Sequence, residues 1–407
     1  MLLLPFHPFC PTGQQTIVKL SSAYTADTSY NSAVKQTLLP YTNNSRSILQ
    51  LQQLSISSAG TLWFIDAYNL RILGVDSTAG TSVAAIDLTS VGGALAIGVS
   101  VYSANIWAAT PAAPGGTATV NQYDPSGNLI RTIGTSTDPT NLPSTYFIMG
   151  VQPDPSNSHV YVGGCDVVVA GSLQYVPGSG LEYSSAPGSF YPCDVRAVSI
   201  ATGSVQLPLL QVSEATRSYY GTDISFFRQI AVRAGSSDAG MFPSGTVWAD
   251  DTYTGVVYAF NNGTGQQIAN LTGIYRSPAF TPQNNFVYLG PNGLSVRQYN
   301  PGTQSTILYS ISNVTFGNPG FVAVAPGGSP VYVASYSGGA VAVMTTDSPP
   351  VITRYVGGTE LIEPWAMTVD SSGNLYVIQL THTLSAESHT HWCDSAYSYL
   401  CPPCVVL

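Results

Sequence analysis

Three histidines and three cysteines crowd the end of the chain: His382, His389, His391, Cys393, Cys401 and Cys404. Imidazole nitrogens and thiolates are the ligands zinc prefers, four at a time in a tetrahedron. In an extended segment His389 and His391 fall on one side of the strand. The spacing His389-x-His391-x-Cys393, then Cys401-Pro-Pro-Cys404, matches no standard zinc finger. Disulfide formation is therefore the preferred reading of these cysteines, with zinc held by His389, His391, Cys393, Cys401 and Cys404 as the alternative. A redox role for Cys401-Pro-Pro-Cys404 would need a thioredoxin-like βαβ setting, which the surrounding sequence lacks.

Acid–base chemistry has fewer candidates. His159, in Ser158-His159-Val160, is the one histidine inside the patterned part of the chain, so any Ser-His-Asp triad would need it as base. No G-x-S-x-G nucleophile elbow accompanies it. Asp66, Asp250 and Asp251 follow aromatic strand residues and could share a rim that binds calcium. The preferred reading is that they hydrogen-bond nearby turn N–H groups. Asp124-Pro-Ser-Gly127 and Asp370-Ser-Ser-Gly373 lack the alternating oxygens and terminal Glu of a calcium loop and read as turns. No catalytic residue and no bound cofactor is assigned, calcium or zinc being the metals these groups would suit.

The rest of the composition dictates what positions these groups. Of 407 residues only 8% are charged, while Gly numbers 39, Pro 28 and Tyr 25. Lys19 and Lys35 are the only lysines. Amphipathic helices need charged and long apolar residues at a 3.6-residue period, and no window shows that period convincingly. Short apolar runs punctuated by Gly, Pro, Asn, Asp and Ser recur instead, which predicts an all-β chain. A net charge of −9 supplies no basic patch for phosphates, which argues against nucleic acid and anionic membrane surfaces. No run of apolar residues is long enough to span a bilayer.

A repeat organises the strands. An apolar residue, then Trp or Tyr, then an apolar or small residue recurs at Trp63, Trp107, Tyr161, Trp248, Tyr288, Tyr332 and Tyr376. Most neighbours in that series stand about 40–45 residues apart, the length of one four-stranded propeller blade. A preceding strand, as in Phe321–Val324 or Ala366–Val369, and two following ones, as in Leu294–Tyr299 and Ser305–Tyr309, complete each unit. A blade cannot bury both faces alone, whereas stacking blades in a ring covers them. The expectation is one β-propeller over 1–407 with seven four-stranded blades, the repeats running 54–380 after a 21–53 linker. The long gap between Tyr161 and Trp248 is assigned to an insertion at about 164–192, an eighth blade being the alternative.

Trp63-Phe-Ile-Asp66-Ala-Tyr-Asn69-Leu-Arg71-Ile72 resembles an NHL repeat, apolar-x-apolar-Asp-x-x-Asn-x-Arg-Ile. Val331-Tyr-Val333 with Gly339-Ala-Val-Ala-Val343 resembles the related YVTN repeat. Both resemblances imply a propeller. Neither implies one activity, because such repeats bind proteins or RNA, form surface layers or cleave small substrates.

Gly13–Leu20 resembles the turn and fourth strand at Gly265–Leu271. Strand 14–20 is thus expected to close the ring as the fourth strand of the last blade. Residues 364–380 would supply the first two strands and the 381–407 tail, near 395–406, the third. Cys165 and Cys193 bracket the insertion, so a disulfide there would close a loop of about 27 residues and contribute ~3 kcal/mol. Cys10, Cys393, Cys401 and Cys404 lie in terminal segments expected to meet, and their pairing stays open among three possibilities.

Cysteines so placed favour an oxidising compartment, extracellular or at the cell surface. Met1–Cys10 has no basic start and is broken by Pro5, so it does not read as a signal peptide. N-x-[ST] sequons stand at Asn43, Asn262, Asn270 and Asn313. Tyr24, Tyr30, Tyr41, Tyr219, Tyr220, Tyr253 and Tyr336 fall in expected loops, where Tyr is a good contact for proteins and sugars. The functional expectation is a non-enzymatic extracellular module that binds a protein or glycan partner or self-associates into a surface layer or fibre. A metal-dependent propeller lyase or lactonase-type hydrolase and an intracellular protein-interaction propeller are the alternatives.

Overall fold

A computed structural model describes residues 14–38, 51–66, 69–89, 96–99, 105–110, 119–133, 146–154, 158–167, 173–176, 180–183, 190–211, 227–232, 246–251, 256–261, 264–272, 279–280, 286–289, 295–300, 305–310, 319–326, 328–335, 339–345, 351–357, 361, 364 and 366–381. The chain opens with β1 (Gln14–Leu20) and one helix, α1 (Thr28–Leu38). Six four-stranded antiparallel sheets follow among the described residues, each in the plain up-and-down order the repeat requires.

The first sheet holds β2 (Leu51–Ile56), β3 (Thr61–Asp66), β4 (Arg71–Asp76) and β5 (Ser82–Asp87). The second holds β6 (Ala96–Val99), β7 (Ile106–Thr110), β8 (Thr119–Tyr123) and β9 (Leu129–Ile133). In the third, β10 (Tyr146–Pro153) and β11 (His159–Val167) are joined to β14 (Phe190–Ser199) and β15 (Val205–Gln211). Between β11 and β14 lies a separate two-stranded hairpin, β12 (Leu173–Val176) and β13 (Gly180–Tyr183).

The fourth sheet is β16 (Phe227–Val232), β17 (Val247–Asp251), β18 (Val256–Phe260) and β19 (Gln267–Thr272). The fifth is β20 (Ala279–Phe280), β21 (Phe286–Leu289), β22 (Ser295–Asn300) and β23 (Ser305–Ser310). The sixth is β24 (Pro319–Val324), β25 (Val331–Ser335), β26 (Ala340–Met344) and β27 (Ile352–Gly357). A last sheet has three described strands in the order β1, β29 (Leu375–Thr381), β28 (Ala366–Val369).

Every aromatic of the repeat lies on the second strand of its sheet. Trp63, Trp107, Tyr161, Trp248, Tyr332 and Tyr376 are fully buried there. The reason is that second strands are covered on both faces. Ile106 and Ala108 of β7 pack towards the first sheet, and Trp107 and Ala109, on alternate positions, pack towards the third. β29 does the same, with Tyr376 and Ile378 facing the first sheet and Leu375 and Val377 facing the sixth. Continuous apolar runs in strands follow from that two-sided burial, as in β3 and β25. Each such aromatic contributes about 1.5–3 kcal/mol by leaving water.

The fourth strands are edges, and their sequences show it. In β5 buried residues alternate with exposed ones, and β9 is mostly exposed. The pairing slips near the start of β5, β9, β19 and β27, leaving Val83 and Ile130 exposed at two of the slips. Such bulges twist an edge strand away from flat pairing with another chain.

The N-terminal strand departs from expectation in one respect. β1 pairs with β29 through the whole run from Gln14↔Thr381 to Leu20↔Leu375. β28 occupies the other edge of β29, so no tail strand lies between β29 and β1, which takes the third place, not the fourth. Residues 395–406 lie outside the described residues.

Beyond β1, where a fourth strand would lie, stands α1. The 21–53 segment thus contains an element that the sequence reading did not anticipate. Tyr30, Val34 and Leu38 are buried at i, i+4 and i+8 and join one core with Ile17, Leu62, Leu73 and Ile378. Asp27 caps the helix, its Oδ1 accepting the Tyr30 N–H at 3.1 Å and the Ser29 hydroxyl at 2.7 Å. Asn31 Oδ1 accepts the Lys19 N–H at 2.7 Å and the Asp27 N–H donates to the Lys19 carbonyl at 2.9 Å. The helix start thereby satisfies the outer edge of β1. Gly80, at φ +70°, makes room: a Cβ there would lie 3.0 Å from the Tyr30 carbonyl oxygen.

Candidate functional site

Asp66 ends β3 with no solvent exposure, and its charge is answered locally. Its Oδ2 accepts Arg71 Nη2–H at 2.6 Å, Arg71 Nε–H at 2.9 Å and Asn69 Nδ2–H at 2.7 Å. Leu70, at φ 53°, turns the chain so that Arg71 comes back opposite Asp66 in the ladder. The three polar residues of the repeat-like motif therefore form a buried ion pair that holds one connection. Asp66 Oδ1 also accepts the Asn69 N–H of the turn at 3.4 Å. Asp251 takes the matching place at the end of β17, opposite Phe227 and Val256, with Asp250 beside it.

The same rung carries other buried polar residues that were not singled out from sequence. Thr110, Ser335 and Gln379 each lie three positions after the aromatic of their strand, and all are buried. Thr110 Oγ1 and Thr119 Oγ1 share a hydrogen bond of 2.6 Å across the ladder. The position three after each repeat aromatic was the available signal. A second buried pair lies in β14, where Asp194 accepts Arg196 Nε–H at 2.9 Å and Nη2–H at 3.1 Å. The Asp194 pair uses both carboxylate oxygens in a fork that fixes geometry as well as charge, whereas both Arg71 nitrogens converge on one oxygen of Asp66.

His159 meets Ser158 and Asp154, but not as a triad. The Ser158 hydroxyl lies 2.7 Å from Asp154 Oδ2 and 2.7 Å from His159 Nδ1. A hydroxyl has one proton, and an ionised carboxylate can only accept it. Ser158 therefore donates to Asp154, and Nδ1–H of His159 donates to Ser158. In that arrangement Nδ1 cannot take the serine proton, as the base of a triad must. The cluster ties off the turn between β10 and β11, where the Asp154 N–H also donates to the His159 carbonyl at 2.8 Å.

Asp124 and Asp370 build near-identical turns. Each accepts two backbone N–H groups on Oδ1, Ser126 and Asn128 at 2.8 Å in one case, Ser372 at 2.9 Å and Asn374 at 2.8 Å in the other. Each also accepts an asparagine side-chain amide on Oδ2, at 2.9 and 2.7 Å. Hydrogen bonds from Asn128 hold the Asp124 carboxyl below its ordinary range. These are Asx turns, as the sequence indicates.

Two faces result. First-to-second and third-to-fourth strand turns, mostly tight, leave one end of the sheets. Second-to-third connections leave the other, including 168–189 with the β12–β13 hairpin. Gln14 and Thr381, the outermost rung of β1 and β29, also lie at that end. Cys165 and Cys193 stand directly opposite each other in β11 and β14, inside paired strands, because the ladder continues through the expected insertion bounds to Val167↔Phe190.

Of the tyrosines read as loop contacts, Tyr30 is instead 2% exposed and part of the core. Tyr24 packs edge-on against Tyr332 at 6.2 Å, beneath the Arg354 guanidinium. Asn270 lies in β19, the outermost strand of its sheet. Cys10, His382, His389, His391, Cys393, Cys401, Cys404, Asn43, Asn262, Asn313, Tyr41, Tyr219, Tyr220, Tyr253 and Tyr336 lie outside the described residues. Among the described residues no three of His, Cys, Asp and Glu group as a metal site would need, and no helix is long and apolar enough to cross a membrane.

No family model matches the sequence, and no curated protein matches it. Solved structures do match the fold. The RRP9 WD40 repeats align with a TM-score of 0.55 at 10% identity, over 82% of this chain and 95% of that one. A chain of the mitotic checkpoint complex gives 0.54 at 11% identity, over 82% and 88%. Virginiamycin B lyase from Staphylococcus aureus gives 0.53 at 9% identity, over 84% and 97%. The chain is similar to each of these as a β-propeller, and at such identities the likeness concerns the fold alone.

Proposed function

We propose that this chain is a non-enzymatic propeller of the NHL/YVTN kind, with seven blades and a ring closed by β1 on β29. It works outside the cell or at the cell surface as a binding or assembly module. A protein or glycan partner, or a second copy, is taken on the face that carries the 168–189 arm.

The observation that carries this reading is the use to which the polar groups are put. Asp66 is held by Arg71 at a strand end, Asp194 by Arg196 within β14, and His159 by Ser158 at a turn. These groups build a scaffold. The longest connection between strands of one sheet, 168–189, leaves one face, and connections are where scaffolds present binding residues. Among the fold neighbours, one belongs to an assembled complex and another is a lyase, so the fold itself leaves both roles open.

The test is to measure metal content, native mass against concentration, and retention on protein and glycan arrays, all with the full chain purified without chelator. The reading expects retained protein or glycan, or concentration-dependent assembly, without stoichiometric zinc or calcium. Stoichiometric metal together with turnover of a lactone or a lyase substrate would replace it with the enzymatic alternative. Inert monomers that retain nothing would also overturn it.

A further inference from the structure

We infer that Cys165 and Cys193 form a cross-strand disulfide that clamps the base of the 168–189 arm. Directly opposed residues of an antiparallel pair have Cα atoms about 4.5 or 5.5 Å apart, according to whether they share hydrogen bonds. Both spacings lie within the 4.4–6.8 Å or so that a disulfide spans without backbone movement. The register from His159↔Ser199 to Cys165↔Cys193 is unbroken, and the ladder slips between Cys165 and Val167. The cysteine rung is thus the last regular one before the arm. On one side of it Phe147 of β10 pairs with Cys165, and on the next rung Gly164 faces the buried Asp194.

A crosslink at that rung has a definite mechanical role. Without it, among the described residues a single rung beyond the bulge, Val167↔Phe190, holds the two strands together at the arm's root. With it, the arm starts from a fixed pair of residues. The arm's presentation then depends on redox state, whatever the face binds.

The bond forms by exchange with a small-molecule disulfide. One cysteine thiolate attacks the reagent's sulfur and displaces one thiolate, leaving a mixed disulfide on the protein. The second cysteine thiolate attacks the protein-bound sulfur and displaces the other. Two protein thiols are oxidised, the reagent is reduced to two thiols, and the two protons pass to the departing thiolates.

The sequence makes the test clean. No Lys or Arg lies between Arg131 and Arg196, so trypsin leaves both cysteines, and no others, in one peptide, 132–196. Cleavage after Glu182, which lies between them, splits that peptide into two. The full chain is equilibrated with glutathione disulfide, unreacted thiols are alkylated, and the double digest is weighed with and without reductant. The expected result is a single joined species, two hydrogens lighter than the two fragments together, that separates on reduction. Both fragments alkylated and separate, or either one joined to a peptide from the tail, would overturn the inference.

A second readout addresses the clamp. Reduction, or Cys193→Ser, is expected to raise proteolysis within 168–189 at least several-fold while the unfolding midpoint of the body moves little. Unchanged cleavage of the arm would overturn the mechanical role.

Discussion

The hydroxyl of Tyr376 donates to the carbonyl of Ser77 at 2.8 Å, joining residues nearly three hundred positions apart in the chain. Tyr376 belongs to the sheet that contains the first and last described strands, and Ser77 to a turn of the first four-stranded sheet. The same hydroxyl lies 3.0 Å from Asp370 Oδ2, in the Asx turn that precedes β29. One buried phenol thus links the sheet of β1, β28 and β29 to the first four-stranded sheet.

Tyr30 and Tyr376 meet edge to face at 5.8 Å, with the Lys19 ammonium 5.0 and 5.9 Å from their ring centres. Their hydroxyls differ. That of Tyr30 is buried with no hydrogen-bond partner among the described residues, while that of Tyr376 donates its one proton to the Ser77 carbonyl. Tyr376→Phe is expected to destabilise by about 1 kcal/mol and Tyr30→Phe to be neutral or stabilising. Urea unfolding of both variants checks this, and equal losses would contradict it.

Arg71→Met removes the cation paired with the fully buried Asp66 and is expected to cost about 3–5 kcal/mol. The double variant Asp66→Leu/Arg71→Met removes both charges and is expected to recover most of that loss. A double variant no better than the single one would mean that packing, not charge pairing, governs the rung.

The Trp63 ring lies over Gly74, its partner across the ladder, and a Cβ there would fall 2.7 Å from the ring. Gly74→Ala is expected to cost about 1–3 kcal/mol through overpacking. Combining it with Trp63→Phe should cost less than the sum of the two, a coupling that a double-mutant cycle measures.

Burial pushes the phenols of Tyr30, Tyr161, Tyr332 and Tyr376 above their ordinary range. A raised folded value means the stability is fully present below about pH 10, the unfolded value. It is lost as pH rises beyond that, because only the unfolded chain releases the protons. Stability is therefore expected to fall in alkali more steeply than in a variant carrying Tyr→Phe at Tyr161 and Tyr332. Parallel alkaline profiles would contradict the assignment.

Much of this was legible in sequence because two-sided burial leaves a strong mark. The repeat aromatics, the third strands near Val256–Phe260 and Ala340–Met344, and the Asx turns all follow from local patterns. The helix was not legible. Its apolar stripe is only Tyr30, Val34 and Leu38 among polar neighbours, and tertiary packing on Gly80 and Leu73 carries it. Nor could sequence choose the place of β1. Gln14–Leu20 mixes polar residues with apolar ones and so suits either place, and the helix edge set by Asn31 and Asp27 stands where a fourth strand would lie.

That helix cap provides a further check. Asp27→Ala removes the Tyr30 cap and the Lys19 contact at 3.4 Å, and is expected to cost roughly 0.5–2 kcal/mol. Faster amide exchange in β1, whose outer edge the helix start covers, should accompany it. Slow exchange retained throughout β1 would show that the edge is protected otherwise.

The most direct test of the account is an end-on three-dimensional reconstruction of the full chain. Seven blades around one channel, with β1 and β29 in a common blade flanked by α1, is the expected result. Six or eight blades, or a ring open beside β29, would contradict it.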